Sequence, residues 1–298
     1  MASSKPPQRD PPGGMTQVAG RGVHMLASGE GSPTVVLEAG LGSLSSQWAW
    51  VRPGIAAFTR VCAYDRAGLG WSGSAPGPRD AMTIAADLKA LLEATGQPPP
   101  YLLVGHSLGG LFARVFAGRY PASVAGLALI DPTPLELEIG WSARFSAALM
   151  TAALPILFRM GVQPLRAQMQ SLGLDLPAAA RQDLIGAYGS LAHLEAFRDE
   201  YKAMDKTNAQ ARASLLPHDL PVVVLSADLP MAPSQDDMVK AAQAEHARFA
   251  AGFAEGRHRV IAGSNHLSLV TDPKNAVQIV DEVHRLVDQV RRALADQR

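Results

Sequence analysis

The strongest constraint in this sequence is Gly105-His106-Ser107-Leu108-Gly109, set between the apolar run Tyr101-Leu102-Leu103-Val104 and a helical pattern from Gly110 to Ala117. A strand that runs into Gly-x-Ser-x-Gly and leaves as a helix makes a nucleophile elbow. The turn is so sharp that the serine takes a strained backbone and lifts its hydroxyl above the end of the sheet. Glycines two residues before and after it let strand and helix pass without side-chain collision. The Leu108 N–H then opens a helix N-terminus, where developing negative charge is favoured.

A chain of 298 residues, 47% hydrophobic and 18% charged, has room for one large globular core with an insertion. Lys plus Arg and Asp plus Glu both number 27, which argues against a basic face for nucleic acid. The single cysteine, Cys62, excludes an internal disulfide and sits in an apolar strand pattern, as packing. Met1 to Met15 is rich in Pro, Ser and Gly and lacks an apolar signal core, so a disordered leader and a cytoplasmic protein are expected. Phe145 to Phe158 is too short to span a bilayer, contains Pro155 and is bracketed by Arg144 and Arg159. No integral membrane segment is expected.

Strand-like runs at Val18–Ala27, Thr34–Leu37, Val61–Tyr64, Tyr101–Val104 and Leu127–Ile130 alternate with helical patterns at Trp48–Phe58, Ala81–Ala94 and after the elbow. Most of these strands are apolar on both faces, which implies a mostly parallel sheet covered on both sides. The alternation stops at Pro132. From about Pro134 to Leu216 the pattern is helical, and strands resume at Val222–Leu225 and Arg259–Ile261 before a closing amphipathic helix through Val277, Val283 and Val290. The fold class is therefore α/β, with a core over 16–133 and 217–298 and an all-helical cap over 134–216. Such a cap lies over the edge where α/β sheets place their ligands.

A serine hydroxyl needs a base, and His266 lies on the small-residue loop Gly263-Ser264-Asn265-His266 just after the last strand, at the same sheet edge as Ser107. His106 precedes the serine and points away from it in a tight elbow. His24, His193, His218, His246, His258 and His284 show no metal-ligand spacing, and no metal is expected.

With these residues in place, the chain resembles the α/β-hydrolase superfamily from roughly Val18 to Val290. The resemblance rests on Val36-Leu37-Glu38-Ala39-Gly40-Leu41-Gly42, on Tyr64-Asp65-Arg66-Ala67-Gly68-Leu69-Gly70-Trp71-Ser72, on the elbow and on the Asn265-His266 loop. It implies an eight-stranded sheet, a helical cap and a cofactor-free hydrolase with the order nucleophile, acid, histidine. The family commonly carries His-Gly after the third strand, where this chain has Ala39-Gly40; by that match the Leu41 N–H joins the Leu108 N–H as oxyanion-hole donor. Glu38 is a carboxylate close to a site for an anion, and it is expected to pair with a cation such as Arg66. Two residues match positions from which the family supplies its acid. Asp228 follows the strand that most often carries it but falls early; Asp131 ends the preceding strand, and the short turn after Leu225 favours it.

The resulting expectation is a serine hydrolase for a carboxylic ester or related acyl compound with a hydrophobic, small to medium-sized substrate; the cap residues Trp141, Phe145, Met150, Leu157, Phe158 and Met160 offer an apolar lining, although most of them are expected to pack the cap helices onto each other. A dehalogenase of this superfamily would need a carboxylate where Ser107 stands. Perhydrolysis or C–C bond hydrolysis on the same triad, and a silent small-molecule binder, remain as alternatives. The oligomeric state is not legible.

Overall fold

The computed structural model describes residues 10–136 and 141–296. The chain opens with β1 (Gly14–Val18), β2 (Arg21–Ser28) and β3 (Thr34–Glu38), a 3-10 turn at Ser45–Trp48, α1 (Val51–Ala56) and β4 (Val61–Tyr64). It continues with α2 (Ala81–Ala94), β5 (Tyr101–His106), α3 (Leu108–Arg119) and β6 (Val124–Ile130). Five helices follow without a strand among the described residues: α4 (Trp141–Arg159), α5 (Pro164–Ser171), α6 (Ala178–Ala187), α7 (Leu191–Lys202) and α8 (Met204–Ala213). The fold closes with β7 (Val222–Leu229), α9 (Asp236–Ala251), β8 (Arg257–Asn265), α10 (Ser268–Thr271) and α11 (Pro273–Asp296).

The strands form one eight-stranded sheet in the order β1-β2-β4-β3-β5-β6-β7-β8. β1 and β2 pair antiparallel, as do β2 and β4, and every pairing from β4 to β8 is parallel. Strand residues alternate between two cores, one on each face. Val36, Leu103, Leu127, Leu129, Val222 and Val224 pack with α2, α3 and α9, while Val35, Leu102, Val104, Ala128, Val223 and Leu225 pack with α1, α10 and α11. This is the period-2 geometry of a strand buried on both sides.

Local chemistry accounts for the clearest boundaries. Asp80 caps α2 by accepting the Thr83 N–H at 3.4 Å, and Gly96 at φ +62° stops that helix. The helical pattern over Trp48–Phe58 divides into the 3-10 turn and α1. α4 runs on through Pro155, whose carbonyl accepts from the Arg159 guanidinium at 3.3 Å. Gly14 and Met15, expected in the leader, begin β1; residues 1–9 of that leader lie outside the described residues.

The helices between β6 and β7 make a third apolar cluster, in which Leu154, Leu174, Leu176, Leu184 and Leu194 surround Leu44 and Leu69. Leu44 and Leu69 lie on the loops that follow β3 and β4, so this helical block packs on those two loops. No single helix among the described residues is long and apolar enough to cross a membrane.

Candidate active site

Ser107 stands between β5 and α3 at φ +56° and ψ −126°, a conformation an L residue holds only when its surroundings enforce it. The enforcement is visible on both sides. The Ser107 N–H donates to Ile130 O at 3.1 Å, and its carbonyl accepts from the Gly110 and Thr133 N–H groups. A Cβ on Gly105 would lie 2.4 Å from Gly109 O, and one on Gly109 would lie 2.4 Å from Glu38 O. Both glycines are therefore required by close backbone approach.

His266 Nε2 lies 3.0 Å from Ser107 Oγ, and His266 Nδ1 lies 2.6 Å from Asp131 Oδ2. A carboxylate only accepts, so Nδ1 carries the proton and the Nε2 lone pair faces the serine hydroxyl. Asn265 holds the loop: its Oδ1 accepts the Leu267 and Ser268 N–H groups at 3.1 and 2.9 Å. Burial pushes the Asp131 carboxyl up, but the His266 hydrogen bond and charge, together with the Ala227 N–H, outweigh it and hold the group below the usual carboxylate range.

Asp228 lies elsewhere. β7 stays paired with β8 as far as Leu229, so Asp228 is still on the strand, exposed, and accepts the Gly263 N–H at 2.9 Å. Of the two carboxylates weighed from sequence, Asp131 is the one brought to His266.

His106 points away from the serine, as the tight elbow requires. Its Nε2–H donates to His266 O at 2.9 Å, which ties the histidine loop to the elbow, and Nδ1 faces Gln47 Nε2 at 3.4 Å. Burial and the neighbouring His266 lower its pKa to about 3, so the ring is neutral. A second pair of histidines lies behind Asp131. His246 Nε2–H donates to Pro132 O at 2.8 Å, so its Nδ1 accepts from Ser226 Oγ at 2.7 Å, and that hydroxyl in turn accepts from His258 Nε2 at 2.8 Å.

The two amides considered for an oxyanion flank Ser107. Leu108 is the first residue of α3, and a helix's first N–H groups have no intrahelical acceptor. Leu41 follows Gly40, which packs so tightly on the elbow that a Cβ there would sit 3.3 Å from Ser107 Cβ. The loop from Ala39 to Gly42 is held from behind by Arg66, whose guanidinium donates to Ala39 O and Gly40 O, each at 2.7 Å. Arg66 also pairs with Glu38 at 2.8 Å, the partner expected from sequence, and with Glu200 of α7 at 2.7 Å. Burial raises the Glu38 carboxyl above its usual range against the pull of Arg66 and of the Tyr64 hydroxyl, which donates to Glu38 Oε2.

The apolar residues weighed from sequence as facing a substrate, on α4 and just after it, are mostly exposed. Phe145, Met150 and Met160 are 57%, 61% and 72% exposed, and Phe158 packs instead in the third core cluster. The Trp141 side chain lies outside the described residues. A cavity of about 280 Å³ opens between His24, Ser45, Arg52, Trp71 and Asp183, and neither Ser107 nor His266 is among its lining residues. Among the described residues no group of His, Cys, Asp or Glu is arranged to hold a metal ion.

Relatives share parts of this chain. It is 29% identical over 186 residues to an uncharacterized protein of Schizosaccharomyces pombe, a match covering 59% of this chain and 33% of that protein. It is 36% identical over 104 residues to the uncharacterized protein YqjL of Bacillus subtilis, covering 35% and 41% respectively. A stretch of 103 residues is 33% identical to a putative carbamate hydrolase, RutD, of Azorhizobium caulinodans, covering 35% and 38%. The chain thus spans about a third to two fifths of the length of these relatives. Among solved structures, Cfl2 of Burkholderia cenocepacia superposes with a TM-score of 0.70 at 25% identity, covering 92% of this chain and 94% of that one. An esterase of Thermogutta terrifontis superposes at 0.65 and 21% identity, covering 92% and 98%, and an epoxide hydrolase, CorEH, at 0.71 and 17%, covering 93% and 98%. At those identities the last two show the fold alone. The family model for the alpha/beta hydrolase fold matches residues 33–273, and the chain belongs to that family.

Proposed function

We propose that the chain is a serine hydrolase that cleaves a carboxylic ester or related acyl compound through an acyl-enzyme. The observation that carries this reading is the continuous line from Ser107 Oγ to His266 Nε2 at 3.0 Å and from His266 Nδ1 to Asp131 Oδ2 at 2.6 Å. A hydroxyl so placed loses its proton to the imidazole as it attacks a carbonyl, and the neighbouring carboxylate stabilises the imidazolium that results. The Leu41 and Leu108 N–H groups receive the oxyanion. When the tetrahedral adduct collapses, His266 returns the proton to the leaving alcohol, and the acyl group stays on Ser107 Oγ. A water that gives its proton to His266 then attacks the ester, and the acid leaves as Ser107 recovers its hydrogen.

The nucleophile also argues against a second route on this fold. Opening an epoxide ring on a serine would leave an ether, which water does not cleave, whereas a carboxylate nucleophile would leave a hydrolysable ester. The helices α4–α8 serve in this reading as a cap over the strand ends, above a hydrophobic substrate of small to medium size.

The test is intact-mass spectrometry of the wild type and of Ser107→Ala after incubation with a fluorophosphonate, followed by p-nitrophenyl esters of increasing chain length. One adduct on the wild type, none on the variant and ester turnover are expected. An unlabelled wild type that retains a ligand without turning it over would replace the hydrolase reading with that of a silent binding protein.

A further inference from the structure

Arg66 is 2% exposed and uses all five of its N–H groups. Nε donates to Glu200 Oε1, Nη1 to Glu38 Oε1 and Ala39 O, and Nη2 to Gly40 O and Glu200 Oε2, at 2.7 to 2.9 Å. A trans peptide points its N–H opposite to its carbonyl. By gripping Gly40 O, Arg66 therefore turns the Leu41 N–H away from itself, on a peptide whose Gly40 rests against Ser107.

What holds the guanidinium in that attitude comes from α7. Its residues His193, Phe197 and Glu200 have the spacing of one helix face, and all three reach the loops after β3 and β4. His193 Nδ1 accepts the Gly70 N–H at 3.3 Å. Phe197 lies where a Gly42 Cβ would stand, 2.1 Å from that position, and Gly42 has φ +59°. Glu200, fully buried, pairs with Arg66 through both oxygens, and its Oε2 also accepts the Gly42 N–H at 3.0 Å. From the C-terminal end of α6, the Tyr188 hydroxyl donates to Gly42 O at 3.1 Å.

We propose that Glu200 is a positioning residue for the oxyanion loop: through Arg66 and the Gly42 amide it fixes the direction of the Leu41 N–H, so that α7 and the loop behave as one unit. The guanidinium's fork geometry makes the link directional, because two parallel N–H bonds to one carboxylate fix the plane from which the remaining N–H groups reach Ala39 O and Gly40 O. A displacement of α7 is consequently felt at the Leu41 N–H, through Glu200, Arg66 and the Gly40 carbonyl.

The catalytic half of this inference rests on the hydrolase reading, and the structural half does not. Glu200→Gln keeps the shape but sets an NH2 against the guanidinium in either amide orientation, and in one of them against the Gly42 N–H as well. Two measurements separate the halves. Amide hydrogen exchange across residues 39–43 is expected to quicken about tenfold in the variant while α3 and β5 stay protected. Per active site titrated with fluorophosphonate, kcat on a p-nitrophenyl ester is expected to fall about tenfold with KM within twofold, less than the loss on deleting an oxyanion donor outright, because the N–H is misdirected and not removed. Affinity for a trifluoromethyl ketone, which forms an oxyanion on the serine, falls in parallel, while affinity for the product alcohol stays level. Unchanged exchange in residues 39–43 overturns the proposal whatever the activity. Faster exchange with unchanged kcat per titrated site overturns its catalytic half, and a wild type that takes no fluorophosphonate overturns the hydrolase reading and, with it, that same half, while exchange still decides the structural link.

Discussion

His266 Nδ1 lies 2.6 Å from Asp131 Oδ2, and Asp131 itself is held at φ +43° at the end of β6, with its N–H on Leu225 O and its second oxygen on the Ala227 N–H. The residue is thus held by its own N–H and its carboxylate by the Ala227 N–H, apart from the histidine. Asp228, two strand positions beyond Ser226, is instead spent on the Gly263 N–H. Asp131→Asn should lower kcat about 10³- to 10⁴-fold, because an amide at that place no longer selects the tautomer that frees Nε2 or stabilises the imidazolium. Asp228→Asn should stay within about twofold, as an exposed group that can still accept from Gly263. Ester turnover of both variants under saturating substrate decides it, and loss of activity in Asp228→Asn alone would move the acid back to β7.

Gly40→Ala tests how closely the loop after β3 must approach the nucleophile. The new Cβ would lie 3.3 Å from Ser107 Cβ and 3.4 Å from His106 Nδ1, so the loop must retreat by a few tenths of an ångström. A displacement of that kind at a reacting group is expected to reduce kcat about 10- to 100-fold, with a loss of about 1–3 kcal/mol in stability. Wild-type kcat in a variant with an unchanged urea midpoint would show that the loop has slack.

The legible part of this protein is the part whose causes are local. The Asp80 cap and Gly96 stop bound α2 at the residues expected from sequence, the apolar runs became β3 to β7, and the elbow announced Ser107 through glycines whose Cβ atoms have nowhere to go. Arg66 could be suspected as the partner of Glu38 because both belong to strand-end motifs 28 residues apart. Glu200 could not, since 134 residues separate it from Arg66 and nothing in Asp199-Glu200-Tyr201 distinguishes it from a solvated helix face. The same holds for Ser226, which reads as one more strand residue until His246 and His258 close on its hydroxyl from two other elements. The exposure of Phe145 and Met150 was not legible for the converse reason: helical periodicity says which residues share a face and not what that face meets.

Arg66→Met should be among the most destabilising single changes in the chain. It leaves Glu38 and Glu200 buried without their cation, a loss of about 3–5 kcal/mol by analogy with broken buried ion pairs. Glu38→Gln should cost less, about 1–3 kcal/mol, because burial already pushes that carboxyl towards its neutral form, and the amide oxygen can accept from Arg66 while its NH2 donates to a Tyr64 hydroxyl turned to accept. Urea unfolding at neutral pH gives both values, and equal losses would mean that the Glu38 carboxylate is ionised and that its pairing accounts for most of what Arg66 contributes.

Acid should destabilise the fold through its buried neutral histidines, and His193 isolates one of them. Burial lowers its pKa from 6.5 to about 4, against the opposing charges of Glu200 and Asp65. An unfolded chain therefore binds a proton at this residue below pH 6.5 while the folded chain refuses it until about pH 4, so stability falls as pH drops through that window. Between pH 7.5 and pH 5 the cost at one such site is about 2 kcal/mol. His106, His246 and His258 act with the same sign, whereas His24 and Glu38, whose pKa values are raised on folding, act with the opposite one, so the wild-type slope alone is not diagnostic. His193→Gln keeps an acceptor for the Gly70 N–H and removes the titration. The wild type should lose about 2 kcal/mol more than this variant between the two pH values, as measured by urea unfolding; parallel losses would place a proton on the folded His193 well above pH 5, with Glu200 as the charge that holds it there.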